Sequence, residues 1–371
     1  MSDAARVSLG RRIVRSWTWA VPVAAIVLLV LVWERELSWP IYLLAGAVLI
    51  GAVLAAVHHA EIVAHRVGEP FGSLVLAVAV TVIEVALIVT LMLGKPGQTD
   101  TLARDTVFAA VMITVNGIVG LSILIGSMRH SLPRFNREGA GAALAVVATL
   151  TTLTLVLPSF TVSEPGARFS DLQLAFVAIV SIVLYGVFVS SQTVRHRDFF
   201  LPVGRTGEPI SEEEHVDPPT NRAALISLGL LLVALVGVVG LAKSVSPAIE
   251  GVVEAIGVPH SFVGVVVALV VLLPEGMAAV KAALRNRLQT SLNLGLGSAM
   301  ASIGLTIPTL AVASFWLPGN LTLGLGPLQI VLFMLSMVVA ILTLVPGRAT
   351  RLQGMVHLAI FASFVFLAAQ P

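Results

Sequence analysis

The 371-residue chain is 57% hydrophobic and only 11% charged, with a mean hydropathy of +0.99, far from the roughly half apolar and quarter charged composition of soluble domains. A soluble globular protein is excluded: at about 20 apolar residues per crossing, the apolar share fills about ten or eleven membrane spans and leaves no room for a large soluble domain. Zero cysteines rule out disulfides, thiolate metal sites, iron–sulfur clusters and cysteine nucleophiles, and a net charge of +2 says little until its distribution is known.

In chain order, the first apolar segment, Trp17 to Trp33, follows a basic start (Arg6, Arg11, Arg12, Arg15). No small-x-small cleavage site follows it before Glu34 and Arg35, so it is expected to be a retained helix and not a signal peptide. Apolar segments follow at Ile41 to Val57, Phe71 to Leu93, Val107 to Met128, Ala140 to Leu157 and Leu172 to Val194. Beyond a polar stretch come Ala223 to Ala242, Phe262 to Ala283, Leu292 to Trp316, Leu325 to Val345 and Leu352 to Ala369. These eleven runs are too long for strands, which predicts an all-α polytopic protein. The N-terminus and every second loop after it hold seventeen Lys and Arg, and the alternate loops with the C-terminus hold five. That bias predicts a cytoplasmic N-terminus and an external C-terminus.

The one sizeable hydrophilic segment, 195–222, carries Glu212, Glu213, Glu214 and Asp217 and falls on the predicted cytoplasmic side. It reads as a solvated linker, or as an acidic antechamber that gathers cations. The predicted organisation is therefore a basic N-terminus with an extra first helix (1–38), a five-helix repeat (39–194), the acidic linker (195–222) and a second five-helix repeat (223–371). Phe71 to Glu84 aligns without gaps on Phe262 to Glu275, with Val75 on Val266 and Val80 on Val271. Two acidic residues in one register are harder to obtain by chance than matching Val and Leu. By the charge count the two helices run in opposite directions across the membrane, so the repeats are inverted, as in transporters that work by alternating access.

Of the twenty Asp and Glu, only Glu84 and Glu275 lie well inside apolar runs, with no Lys or Arg at that depth. A carboxylate there costs on the order of 3 kcal/mol, so it is kept mainly where it binds or relays something; the plainer reading is a protonated acid bonded to a neighbouring helix. Brought together, two carboxylates supply up to four hard oxygens, which suits a divalent cation such as Ca²⁺. The same oxygens can take protons instead, and exclusive occupancy by ion or proton is what an antiporter requires.

Further ligands can come from the polar, small-residue helices that follow: Asn116 after Glu84, and Asn293, Ser298 and Ser302 after Glu275. Helix packing is the ordinary role for Ser and Thr in such helices. Pro274 and Gly276 flank Glu275, where a missing backbone N–H frees a carbonyl oxygen or simply kinks the helix. The cluster His58, His59, Glu61, His65, Arg66 and Glu69 ends the second span, and His58, Glu61 and His65 share a helical face. That suits zinc or a gating and pH-sensing role, and equally an ordinary solvated span end, with Glu69 beside it. No P-loop, HExxH, Ser-His-Asp setting or basic aromatic tract is present, so neither an enzyme nor a nucleic-acid binder is expected, and no cofactor.

The stretches Gly68-Glu69-Pro70-Phe71 through Thr81-Val82-Ile83-Glu84 and Leu272-Leu273-Pro274-Glu275-Gly276-Met277, continuing through Asn286 to Ser298, resemble the two repeat motifs of the calcium/cation antiporter superfamily. The likeness is strongest to bacterial Cha-type calcium/proton antiporters and extends over nearly the whole chain, with motifs at 68–128 and 260–316. It implies an inner-membrane protein that exchanges cytoplasmic Ca²⁺ for protons, with Glu84 and Glu275 as shared carriers of metal ion and proton. It also leaves Na⁺/H⁺ or K⁺/H⁺ exchange open; a passive cation channel is the reading from another class. The chain departs from the eukaryotic Gly-Asn-x-x-Glu pattern, with Val-Thr-Val-Ile-Glu84 and Leu-Leu-Pro-Glu275. The partners implied are the lipid bilayer and small cations.

Overall fold

The computed structural model describes residues 3–35, 37–68, 71–94, 100–203, 218–316 and 321–370, with side chains from Trp17 onward. Eleven helical rods follow one another: α1 Asp3–Val32, α2 Trp39–Val67, α3 Phe71–Gly94, α4 Leu102–His130, α5 Arg137–Ser159, α6 Asp171–Arg195, α7 Asn221–Ala255, α8 Phe262–Leu284, α9 Leu288–Ala313, α10 Pro327–Leu344 and α11 Arg351–Ala369. Ten are long and apolar enough to cross a membrane, and α1 carries the shorter apolar stretch Trp17–Val32. Among the described residues the extended pairing is limited to two isolated bridges, Arg134 with Arg348 and Glu164 with Arg168. Among the described residues the all-helical expectation and the count of eleven both hold.

Local chemistry sets the ends. Asn136 caps α5 by accepting from the backbone N–H groups of Glu138 and Gly139, and Ser170 with Gln173 and Thr350 with Gln353 form capping boxes at α6 and α11. Gly68 closes α2 at φ 77, a conformation that favours glycine. Helix α7 is the clear departure from the sequence reading, running past Ala242 and through Pro247 to Ala255. Lys243 and Ser244 end the apolar run, but the backbone bonds that hold a helix do not need apolar side chains. On this extension Ser246 donates to a Glu250 carboxylate oxygen at 2.8 Å.

The chain forms two compact units, Met1–Gly94 with Val216–Val252, and Lys95–His215 with Val253–Pro371. Each sequence repeat therefore contributes to both units. The segment 204–217, with Glu212 to Glu214 and Asp217, lies outside the described residues, as does Glu69.

Within the first unit, Arg66 at the end of α2 donates to Asn221 at the start of α7 at 2.6 Å, and His59 Nε2 lies 2.9 Å from the Thr18 carbonyl. At the other end Lys243 sits 4.9 Å from the Trp33 ring centroid. Within the second unit, Phe135 donates to the Gly347 carbonyl at 3.0 Å and Ala349 to that of Pro133 at 3.2 Å, while His130 Nε2 lies 3.2 Å from the Leu284 carbonyl. At its opposite end Thr322 donates to Asp100 at 3.1 Å, Gly324 to Ala167 at 2.9 Å, and Ser159 to Leu325 at 2.7 Å. In each unit the loops rich in Lys and Arg meet one another, and so do the loops poor in them, which is the alternation the charge count requires. The outward faces are apolar: on α6, Leu172, Phe176, Ile179, Val183 and Val187 are all exposed, as expected of side chains that meet lipid tails.

Candidate ion site and its polar surroundings

Glu84 and Glu275 each follow the first residue of their helix, Phe71 or Phe262, by thirteen positions, close to mid-helix. Glu84 is buried, with 3% of its surface exposed; Glu275 is half-buried. Helix α3 starts at the basic end of its unit, where Gly72 packs so closely on the Ala64 carbonyl that no Cβ fits. Helix α8 ends at the basic end of its own unit, beside His130. Helix α3 therefore begins, and helix α8 ends, at the basic end of its own unit.

Helix α8 runs unbroken through Pro274, so the Val270 carbonyl one turn earlier lacks its usual N–H donor. The face of α8 carrying Leu272, Leu273, Gly276 and Met277 lines an apolar cavity of about 480 Å³ with Ile113, Gly117 and Phe361. Glu275 is not in that lining, so the cavity is no place for an ion.

Asn116 lies in a six-residue π-helical segment, Ile113–Ile118, in the middle of α4, every residue of which is buried. A π turn inside an α-helix is costly and is often kept at a functional position. Its amide is bonded at both ends: Nδ2 donates to Ser336 Oγ at 2.8 Å, and Oδ1 lies 3.1 Å from Nδ1 of His357. His357 Nε2 lies 3.2 Å from the Thr343 hydroxyl, and Ser336 donates to the Leu332 carbonyl at 2.7 Å. With Nδ1 carrying the proton, every hydrogen in this series has one acceptor: Thr343 to His357, His357 to Asn116, Asn116 to Ser336, Ser336 to Leu332. All four side chains are buried to within 1%. Glycines make the approach possible. A Cβ on Gly120 would stand 2.8 Å from His357 Cβ, and one on Gly354 would stand 2.7 Å from the Leu124 nitrogen, so α4 and α11 lie backbone to backbone.

Asn293, expected near the ion, has its amide committed elsewhere. Nδ2 donates to the Phe200 carbonyl at 2.7 Å and Oδ1 accepts from Gln289 at 2.8 Å, bracketing α9 to the segment after α6. Ser302 is buried and Ser298 half-buried on the same helix. Of the cluster closing α2, His58 is half-buried, whereas Glu61 and His65 are exposed. Among the described residues no three His, Asp or Glu side chains gather as metal ligands, so the zinc reading of this face finds no support.

Two polar groups escaped the sequence reading. His357 is no acid and carries no repeat partner, yet a histidine inside a span is costly for the same reason as Glu84 and Glu275. Asp105 precedes the predicted span Val107 to Met128, yet its side chain is 3% exposed and paired with Arg104 at 2.8 Å, with Gln329 donating at 3.2 Å and Arg104 reaching on to the Gly324 carbonyl at 3.1 Å.

The chain matches the sodium/calcium exchanger protein family over residues 37–194 and 226–370. It is 48% identical over 364 residues to a Sinorhizobium fredii protein named as the ionic transporter y4hA, covering 96% of each chain. It is 33% identical over 348 residues to the sodium-potassium/proton antiporter ChaA of Escherichia coli, covering 93% of each. The crystal structure of the Ca²⁺/H⁺ antiporter protein YfkE superposes with a TM-score of 0.69 over 95% of this chain and 99% of that one, at 18% identity.

Proposed function

We propose that this chain, which belongs to the sodium/calcium exchanger protein family, is a secondary antiporter that exchanges a cation for protons, using Glu84 and Glu275 as shared carriers. The observation that carries the reading is the pair itself: two carboxylates inside apolar spans, at one register of two repeats whose loop charges predict opposite directions across the membrane. Such groups are retained where they bind or relay an ion, and inverted repeats with polar groups at mid-depth are the usual frame for alternating access. Proton binding and cation binding at the same oxygens exclude one another, so each turn of the cycle moves one cargo out as the other comes in. The chain's own contribution is to hold the two carboxyl groups near mid-helix and to free the Val270 carbonyl at Pro274.

Ca²⁺ is the cation that two carboxylates suit best, since it favours hard, charged oxygens. A second reading, exchange of Na⁺ or K⁺ for protons, is favoured by the relative from Escherichia coli, whose name specifies those ions. In either case the bacterial relatives support a plasma-membrane protein, and the distribution of Lys and Arg supports an N-terminus in the cytoplasm and a C-terminus outside.

The test uses proteoliposomes with an imposed pH gradient and an internal pH dye, given Ca²⁺, Na⁺, K⁺ or Mg²⁺ in turn. Wild type should release protons in response to Ca²⁺, and Glu84→Gln and Glu275→Gln should each stop it while remaining folded and inserted. Release with Na⁺ or K⁺ alone would select the second reading. Normal turnover by either variant would remove the shared-carrier reading, and cation flux without proton movement would replace exchange by a channel.

A further inference from the structure

The first unit carries a cavity, largely apolar but edged by imidazole and guanidinium groups, that the proposed ion exchange does not use. It lies at the basic end, where the first apolar turn of α1, the last turns of α2 and the first turns of α7 converge, and encloses about 810 Å³. Among the described residues its lining includes Trp17, Trp19, His58, His59, Arg222 and Ser227, and no carboxylate. The pair Arg66 and Asn221 fastens α2 to α7 beside it. His59 is 1% exposed. Its Nε2 faces the Thr18 carbonyl at 2.9 Å, which can only accept, so Nε2 carries the proton. The other ring nitrogen, Nδ1, is buried with no hydrogen-bond partner. A fully buried ring nitrogen left unbonded beside a cavity is the kind of group that a ligand satisfies.

The chemistry of the lining names the ligand class. A guanidinium suits a phosphate oxygen bidentately, an imidazole and hydroxyls supply further hydrogen bonds, and the positive charge of Arg222 disfavours a cation. The surroundings decide between a soluble anion and a lipid. Indole side chains sit at the depth of lipid headgroups, and the helices below the cavity present exposed apolar side chains outward, among them Trp19, Leu225 and Leu228, a track for acyl tails. Basic pockets between membrane helices on one face of the bilayer are suited to anionic headgroups. We propose that this cavity is a binding site for the phosphodiester headgroup of an anionic phospholipid, with Arg222 and His58 on the phosphate and His59 Nδ1 accepting from a headgroup hydroxyl. The site depends on the helices spanning a bilayer and not on which ion is exchanged.

The full chain, purified and delipidated in a neutral detergent, is titrated with dioleoylphosphatidylglycerol, dioleoylphosphatidylcholine or inorganic phosphate. The unfolding midpoint is followed, and retained lipid is counted by native mass spectrometry. Phosphatidylglycerol should raise the midpoint saturably and remain as a single adduct, whereas phosphatidylcholine and inorganic phosphate should do neither. Arg222 is exposed, so Arg222→Gln should unfold like wild type without lipid yet bind phosphatidylglycerol about fivefold more weakly. His58→Gln should weaken it in the same direction, and Arg285→Gln, an exposed basic residue of the other unit, should leave it unchanged. Equal responses to both lipids, a full response to inorganic phosphate alone, or unaltered binding by both Arg222→Gln and His58→Gln would each overturn the proposal.

Discussion

Nδ1 of His357 and Oδ1 of Asn116 lie 3.1 Å apart across 241 positions of sequence, and this bond ties the π segment of α4 to the last helix. It fixes which way the Asn116 amide points, because Nδ2 is held at the same time by Ser336. Removing the imidazole leaves two buried polar groups, the Asn116 carbonyl oxygen and the Thr343 hydroxyl, each short of a partner. His357→Ala should therefore lower stability by on the order of 1–3 kcal/mol. Thermal unfolding in detergent checks this, and His357→Gln, which can still donate, should recover part of the loss.

Gly120→Ala tests the same contact from the other side. The added Cβ would meet His357 Cβ at 2.8 Å and the Leu358 backbone nitrogen at 3.2 Å, and a backbone atom cannot swing aside. The expected cost of such overpacking is about 1–3 kcal/mol, visible as a lower unfolding midpoint. Gly186→Ala on α6, where a Cβ would meet nothing within 4 Å, should be neutral or stabilising by up to about 1 kcal/mol.

The pair Arg104 and Asp105 gives a prediction with a built-in control. Arg104→Met strands a carboxylate that is 3% exposed, at an expected cost of about 3–5 kcal/mol. Adding Asp105→Leu removes the stranded charge and should restore most of that loss. If the double variant is no more stable than the single one, the pair is not what holds the ends of α4 and α10 together.

Asn136→Ala removes the side-chain oxygen that accepts from Glu138 and Gly139 at 2.9 and 3.3 Å. The loss should be about 1 kcal/mol, and hydrogen exchange should speed up in the first turn of α5 before anywhere else in that helix.

The helices and their alternation were legible because membrane burial acts on each residue separately: a run of apolar side chains is costly anywhere but in lipid, and loop charge is counted without knowing the fold. Glu84 and Glu275 stand out in the sequence for the same reason, each being an acid in a setting that penalises charge. His357 and Asn293 do not. What His357 does depends on Asn116, 241 positions away, and on two glycines that let the backbones approach. The amide of Asn293 on α9, which as an isolated polar group suits an ion ligand, is spent on the Phe200 carbonyl, 93 positions earlier. Hydrogen bonds between distant segments leave no periodic trace in a sequence.

The π segment also sets the phase of α4. Asn116 must reach Ser336 at 2.8 Å, while Ser122, further along the same rod, meets Ser291 on α9 at 2.6 Å. A regular α-helix turns about 100° per residue, and the wider π turn lags behind it, so the two halves of α4 are rotated relative to a continuous α-helix. The rod serves both neighbours by carrying one residue more than a straight helix needs. Deleting a single residue within 113–118 would leave a smoother helix and an almost unchanged composition, yet it would turn one half by about a quarter of a revolution, keeping one of the two seryl contacts at the expense of the other. In this helix the length between two contacts, and not only the identity of the residues, is part of the specification.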